Sequence, residues 1–224
     1  YIEGNELAVD AQPDYDGVPE EYAAKIRLLH ALGIFAPESD GYIDVERKAT
    51  REELVYYLCG IMNMSARAKK CTRQYYGDVD KSRWSAGYIQ TATEQGFVRG
   101  VGGEKFEPEG TISRADAARL FVKALGCDLG DDADDTQWLK MAERCGILKG
   151  VKNLYELSVG DAVMLCANML DANMLKVDMS DLSYSFDDVT AAEHYFDIVK
   201  LKKTAVNGIY GAELSGEKRL SEDE

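Results

Sequence analysis

The pattern of apolar and polar positions divides most of the chain into three similar segments. Each contains an apolar helix that ends at a glycine, a polar loop, a Ser or Thr, and a second apolar helix. In each segment an apolar residue lies seven positions before that glycine. The segments span residues 20–64, 75–127 and 137–172, and the third has a loop five residues shorter than the others. We therefore predict a repeated helix–loop–helix architecture.

The helix ends in these segments have local physical reasons. Glycine after each first helix favours a left-handed C′ residue, because it has no Cβ to clash. Each second helix opens with a hydroxyl residue and an acidic residue three positions later, the spacing of a capping box. One helix pair of this length cannot bury its apolar face, so three copies have to pack together. The glycines are Gly33, Gly96 and Gly146, and the capping pairs are Thr50/Glu53, Ser113/Asp116 and Ser158/Asp161.

These elements predict a mainly α fold, a pseudo-threefold bundle of three helix–loop–helix repeats within residues 20–172. Residues 1–19 are a lead segment. Residues 173–224 break the helical pattern and are predicted to form a linker and a short β-hairpin, because alternating residues precede Asn207-Gly208, which favours a type I′ turn. This tail either begins another domain or lies on the helical body.

Charge restricts the possible partners. The 224 residues include 26 Lys and Arg against 40 Asp and Glu, a formal net charge of −14. Such a field repels phosphate, so we expect no nucleic acid and no anionic membrane surface as partner. No apolar run is long enough to cross a bilayer, so membrane insertion is not expected. Any anionic ligand has to be held by a few locally placed cations.

The sequence does not group residues for catalysis or for metal binding. The two histidines, His30 and His194, and the five cysteines show no catalytic order, zinc spacing or disulfide framework. The acidic run at 128–135 has a glycine at the third position of a calcium loop and no glutamate at the twelfth, so we interpret it as a solvated linker. We expect no enzyme, no metal and no cofactor.

The second segment carries a family resemblance over almost its whole length. In order, it has Asp-Val, a Trp six residues later, Tyr-Ile, a glycine-ended helix, a Phe-x-Pro loop and a hydroxyl-led helix ending in Leu-Gly. This pattern resembles an S-layer homology domain. The first segment lacks the Asp-Val and Trp, and the third lacks the arginine after its hydroxyl residue. The residues that carry the resemblance are Asp78-Val79, Trp84, Tyr88-Ile89, Gly96, Phe106, Pro108, 112–116 and Leu125-Gly126.

The resemblance has implications for fold, ligand and location. It implies three tandem copies of the domain, of which the first and third are degenerate, arranged as a pseudo-threefold helical bundle. Such bundles bind secondary cell-wall polysaccharide, often bearing pyruvyl ketals, and anchor exported proteins to the bacterial envelope. The expected location is extracellular, at the cell wall or surface layer, and a signal peptide is expected to have been removed.

Two arginines are the main candidates for binding an acidic glycan. Arg51 and Arg114 occupy the first helical position, where the helix dipole disfavours a cation by up to about 1 kcal/mol. A helix start also offers free N–H groups, so a ketal carboxylate could be held by these groups and the arginine fork together. Val159 stands at this position in the third segment, so we expect no anion site there. The alternative is that both arginines are solvated surface residues.

The second segment supplies further candidates. Trp84 could stack on a sugar ring, Asp78 could accept hydrogen bonds from sugar hydroxyls, and Lys105 is a second cation. Glycines in the loop would let backbone approach the ligand closely. Each feature has a structural alternative, with Trp84 in the core, Asp78 as a helix cap and the glycines as a turn. These glycines are Gly100, Gly102 and Gly103.

The leading hypothesis is a non-catalytic cell-surface anchor that binds an acidic, pyruvylated wall polysaccharide. Two alternatives stay open. In one, the bundle is a protein–protein assembly module of a surface layer that has lost glycan binding and self-associates. In the other, it is the N-terminal anchor of a larger exported enzyme or adhesin.

Overall fold

The fold is mainly α, as predicted, with two small antiparallel sheets among the residues that the structure describes. The computed structural model describes residues 11–38, 40–71, 73–178, 180 and 183–196, and the backbone of 198–200 and 212–214. The helices are α1 (Glu20–Ala31), α2 (Arg51–Ile61), α3 (Ser65–Ala68), α4 (Ala86–Glu94), α5 (Arg114–Ala124), α6 (Asp135–Arg144), α7 (Val159–Asp171) and α8 (Ala191–Phe196). The strands are β1 (Asn173–Asp178), β2 (Ser183–Thr190), β3 (Ile198–Lys200) and β4 (Ala212–Leu214).

The predicted caps of the second helices are present. Thr50 and Ser158 each form a complete capping box at the start of α2 and α7. At α5, Ser113 accepts from the backbone N–H of Asp116, but the Asp116 carboxylate accepts from the Ser113 hydroxyl instead of reaching the cap backbone. The hydroxyl residue therefore caps each helix, and only the position of the Asp116 carboxylate at α5 differs from the prediction.

The first helices end as their glycines predict. Gly33, Gly96 and Gly146 all have positive φ, between 68° and 76°. After α1 the N–H of Gly33 donates to His30 and that of Ile34 to Leu29, which is the pair of bonds of a Schellman motif. The same two bonds recur after α4 and α6.

Each second helix is joined at its start to the loop of another segment. The first helical N–H group donates to a loop carbonyl instead of remaining free. The three bonds run from Arg51 N to Gly110 O (2.9 Å), from Arg114 N to Leu154 O (3.0 Å) and from Val159 N to Arg47 O (2.8 Å).

One apolar core runs through all three segments. Its largest fully buried side chains include Tyr57 from α2, Phe106 from the loop before α5, Phe121 from α5 and Trp138 from α6. Because these side chains come from different segments, burial depends on the segments packing together. No helix in the described part of the chain is long and apolar enough to cross a membrane.

The C-terminal part differs from the prediction in detail. β1 and β2 pair in an antiparallel hairpin, where a linker was predicted, and α8 contains Tyr195 and Phe196, which were assigned to the alternating pattern. The pairing of β3 with β4 agrees with the predicted hairpin, whereas Asn207-Gly208 lies outside the described residues. The first hairpin lies on the helical body, since Leu175 N donates to Leu125 O at 2.7 Å.

Candidate functional site

A groove lies between α2 and α5. It is closed on one side by the loop that follows α4, because Arg99 and Phe106 of that loop contact Arg51 at the start of α2. Its apolar surface is supplied by both helices and the loop. The apolar lining residues are Val55, Phe97, Val98, Phe106, Ile112 and Leu120.

The groove concentrates positive charge in an acidic protein. Four of its lining residues are cations, and Asp116 is its acidic lining residue. In α5, the Arg119 guanidinium lies 5.7 Å and the Lys123 ammonium 5.8 Å from the ring of buried Trp138, which holds both side chains on one helix face. The four cations are Arg51, Arg99, Arg119 and Lys123.

Arg51 is the predicted site residue that the structure places in this groove. Its Nε donates to Phe106 O at 2.9 Å and its Nη2 to Arg99 O at 3.2 Å. The guanidinium also lies 4.7 Å from the centre of the Phe106 ring. Burial lowers the pKa of Arg51, and the neighbouring carboxylates of Asp116 and Glu107 offset this only in part. Arg51 therefore binds the loop as well as lining the groove.

The helix start beside Arg51 is not an open anion site. We expected free N–H groups there, but Arg51 N donates to Gly110 O and Glu52 N donates to Pro108 O at 3.0 Å. An anion in the groove would therefore be met by side chains and not by the end of the helix.

Arg114 makes the corresponding contacts at another junction. Its Nε donates to Asn153 O at 2.9 Å and its Nη2 to Val151 O at 2.8 Å, in the loop before α7. It is therefore not a free surface residue, and no carboxylate among the described residues forms an ion pair with it. Val159, the residue at this position in α7, is buried, and its N–H is used in the bond to Arg47 O.

Asp78 holds the same loop as Arg51. Its carboxylate accepts from the N–H groups of Phe106, at 2.9 and 3.2 Å, and of Glu107, at 2.8 Å. Burial raises the pKa of Asp78, but these hydrogen bonds outweigh it and keep the pKa below its usual value. Asp78 also lines a second, open cleft with Arg83 and residues 107–110.

Trp84 lies apart from both clefts. It is half-buried and packs edge-on against Tyr56 of α2, with 5.9 Å between ring centres. Its indole Nε1 is buried, with no hydrogen-bond partner among the described residues. These contacts favour the core alternative for Trp84.

The glycine loop forms a turn. Lys105 N donates to Gly102 O at 3.1 Å, and the two residues between them have φ of 59° and 58°, as in a type I′ turn. At Gly100 a Cβ would stand 2.4 Å from Lys105 O, so the turn requires glycine there. Gly102, Gly103 and Lys105 are exposed and do not line the groove.

Sequence reasoning missed three of the four groove cations. Arg119 and Lys123 are four residues apart on α5, a spacing that places both on one helix face and was a usable signal. Arg99 had no such signal, because its position depends on the path of the loop after α4. The acidic run at 128–135 is also more than a solvated linker, since several of its carboxylates pair with these cations.

Comparisons with known proteins agree with the resemblance in the second segment. Residues 75–118 match the family model described as S-layer homology domain, so the chain contains one such domain there. The match includes α4, the loop with Phe106 and the start of α5. The first and third predicted copies lie outside it, so the comparisons support one copy.

Curated relatives are surface proteins of bacteria. A "Cell surface protein" of Thermoanaerobacter kivui is 26% identical over 163 residues, 69% of this chain and 21% of the relative. A "Middle cell wall protein" of Brevibacillus brevis is 28% identical over 122 residues, 54% and 11% of the two chains. A "Surface layer protein" of Brevibacillus choshinensis is 28% identical over 102 residues, 45% and 9%. The chain thus spans at most about a fifth of these relatives.

Proposed function

We propose that this chain is a non-catalytic module that anchors a protein at the bacterial cell surface by binding an acidic wall polysaccharide in the groove between α2 and α5. The S-layer homology match at residues 75–118 and the surface-protein relatives support the anchoring role. They also support an extracellular location at the wall or surface layer. The proposed ligand bears carboxylates such as pyruvyl ketals.

The observation that carries the ligand proposal is the charge of the groove. Four cations line it in a chain whose formal net charge is −14. Guanidinium groups bind carboxylates with two parallel hydrogen bonds, and apolar side chains suit the C–H faces of a sugar ring. A neutral sugar with a carboxylate substituent offers both kinds of surface.

The chain is also proposed to contain three tandem copies of the domain in a pseudo-threefold bundle. Three N-capped helices, each with its first N–H bonded to a loop of another copy, support this arrangement. The residues two positions before the three caps are Lys48, Thr111 and Glu156, and Glu156 contacts both of the others. Lys48 Nζ lies 2.5 Å from the Glu156 carboxylate, and the Thr111 hydroxyl donates to it at 3.3 Å.

A sedimentation assay with purified cell-wall sacculi tests the function. We expect R119Q/K123Q to reduce the affinity for sacculi by about tenfold or more, because it removes two charge-assisted contacts. Arg67→Gln is the matched control, since Arg67 is a surface cation on α3 paired with Glu94 outside the groove. Equal sedimentation of wild type and the folded double variant would contradict the proposal.

A second candidate function, self-association in a surface layer, is favoured by one observation. Tyr155 is 83% exposed and its neighbour Leu154 is 56% exposed, in the loop that Arg114 holds. Adjacent exposed apolar side chains are suited to contact another protein. Because the chain spans a small part of its relatives, we also propose that it serves as the anchoring part of a larger surface protein.

A further inference from the structure

An acidic segment lies beside the groove and pairs with its cations. We call residues 128–135, which run from the loop after α5 to the first residue of α6, the acidic strap. Three of its carboxylates pair with three different groove cations. The pairs are Lys123–Asp128 (3.0 Å), Arg119–Asp135 (3.2 Å) and Arg99–Asp131.

We propose that the acidic strap is an internal competitor for the groove, which an anionic ligand has to displace before it can bind. The inference rests on the proposed function, because it needs a ligand that uses these cations. Its consequence is selectivity. A neutral sugar leaves the strap in place, whereas a glycan with several carboxylates replaces its contacts one by one.

The exposure of the three pairs makes this exchange feasible. The strap carboxylates are largely exposed: Asp128 by 61%, Asp135 by 68% and Asp131 by 81%. Because water already solvates them, they can leave their cations without a change of environment. The cation ends differ, since Lys123 is 11% exposed and Arg99 is 60% exposed. Exposed ion pairs of this kind are weak, so a ligand carboxylate placed by other contacts can outcompete them.

The strap is fixed at both ends, which limits the exchange to side chains. Asp128 accepts from Gly130 N at 3.0 Å, and its carbonyl accepts from the Tyr184 hydroxyl at 2.6 Å. At the other end Asp134 caps α6 in a complete capping box with Gln137. Rotation of the Asp131 and Asp135 carboxylates away from the groove therefore needs no unfolding of the neighbouring helices, whereas rotation of the Asp128 carboxylate also breaks its bond from Gly130 N.

The test measures the affinity of the full chain for purified pyruvylated wall polysaccharide by titration calorimetry. We expect D128N/D131N/D135N to bind more tightly, by about two- to fivefold for each pair removed. We also expect its affinity to fall more steeply with salt, because bare cations release more counterions on binding than paired ones. Asp132→Asn is the matched control for Asp131→Asn, since each removes one charge from the strap and Asp132 has no ion pair among the described residues.

The outcomes separate the two proposals. Tighter binding by the triple variant, with D132N like wild type, supports the strap as a competitor. Unchanged or weaker binding by the triple variant overturns the inference while leaving the proposed function intact. No binding by wild type overturns the proposed function and the inference with it. Asp131→Asn alone, at an exposed loop position, gives the same decision if the triple variant does not fold.

Discussion

The start of α2 and the start of α5 make the same contacts in different surroundings. We call the contact of α2 with the loop after α4 the first junction, and the contact of α5 with the loop before α7 the second junction. At the first junction Arg51 binds Phe106 O, and Asp78 binds Phe106 N. At the second, Arg114 binds Asn153 O, and the Asp161 carboxylate accepts from Asn153 N at 3.3 Å. In both, an arginine and an aspartate hold the two polar groups of one loop residue.

The surroundings of the two junctions differ in charge and exposure. The first opens on a groove lined by Arg99, Arg119 and Lys123. The second presents exposed Leu154 and Tyr155 instead. The arginine after the cap therefore has a structural role at both junctions. The residues around it distinguish the cation-lined groove, which we propose as the ligand site, from an exposed apolar surface.

Truncating the two arginines should have the largest effect on stability. Arg51→Ala and Arg114→Ala each remove two charge-assisted bonds and leave loop carbonyls unpaired, which we expect to lower the free energy of unfolding by about 2–4 kcal/mol. Arg51→Ala should cost more, because it also loses the Phe106 ring contact. Urea denaturation measures both. If both variants, like the control R67A, stay within about 0.5 kcal/mol of wild type, the shared structural role is wrong.

Glycine substitutions in the loop of the first junction should rank by steric conflict. Gly100→Ala places a Cβ 2.4 Å from Lys105 O and 2.7 Å from the Tyr76 ring, so we expect a loss of about 1–3 kcal/mol. Gly103→Ala meets no atom within 4 Å and has only the cost of a left-handed residue, about 1 kcal/mol. Thermal unfolding compares the two variants, and a larger loss for G103A would contradict the turn geometry.

Acid should weaken the first junction through Asp78. Its pKa is lowered in the folded state, so its ionisation adds stability above the unfolded pKa of about 3.9, and this is lost as pH falls through the lower folded pKa. At neutral pH we expect Asp78→Asn to cost about 1 kcal/mol. Denaturation from pH 7 to pH 2 should show this difference shrinking below about pH 4. A difference that does not vary with pH would exclude the carboxylate as its cause.

Removing the exposed aromatic at the second junction should have the smallest effect on folding. Because Tyr155 is 83% exposed, we expect Tyr155→Ala to stay within about 0.5 kcal/mol of wild type. Analytical ultracentrifugation then tests the second candidate function. A concentration-dependent oligomer that Y155A abolishes supports self-association, and a monomer in both proteins argues against it.

Local signals in the sequence predicted the helix ends well. The caps at Thr50 and Ser158 and the positive φ at Gly33 and Gly96 depend on residues within one or two turns, so the sequence contains the necessary information. β1 and β2 were missed because their pairing joins residues up to 17 positions apart, and because Leu175 of β1 bonds to the distant Leu125 just after α5.

The site was harder to predict, because its contacts join distant parts of the chain. Arg51 and its acceptor Phe106 are 55 residues apart. The position of Arg51 at the start of α2 therefore gave no indication that its side chain binds this loop. Trp84 was chosen for its chemistry, and its burial depends on Tyr56 in another segment. The spacing of Arg119 and Lys123 places both on one face of α5. It indicates a site only when the fold shows that α2 and the loop after α4 line the same groove.

Titration of the wild-type chain with wall polysaccharide, before and after removal of its carboxylate substituents, tests the central claim most directly. If the cations between α2 and α5 recognise those substituents, removing them should weaken binding by about tenfold or more at moderate salt. Equal affinity for the two preparations would show that the groove charge does not select the ligand, and would contradict the account.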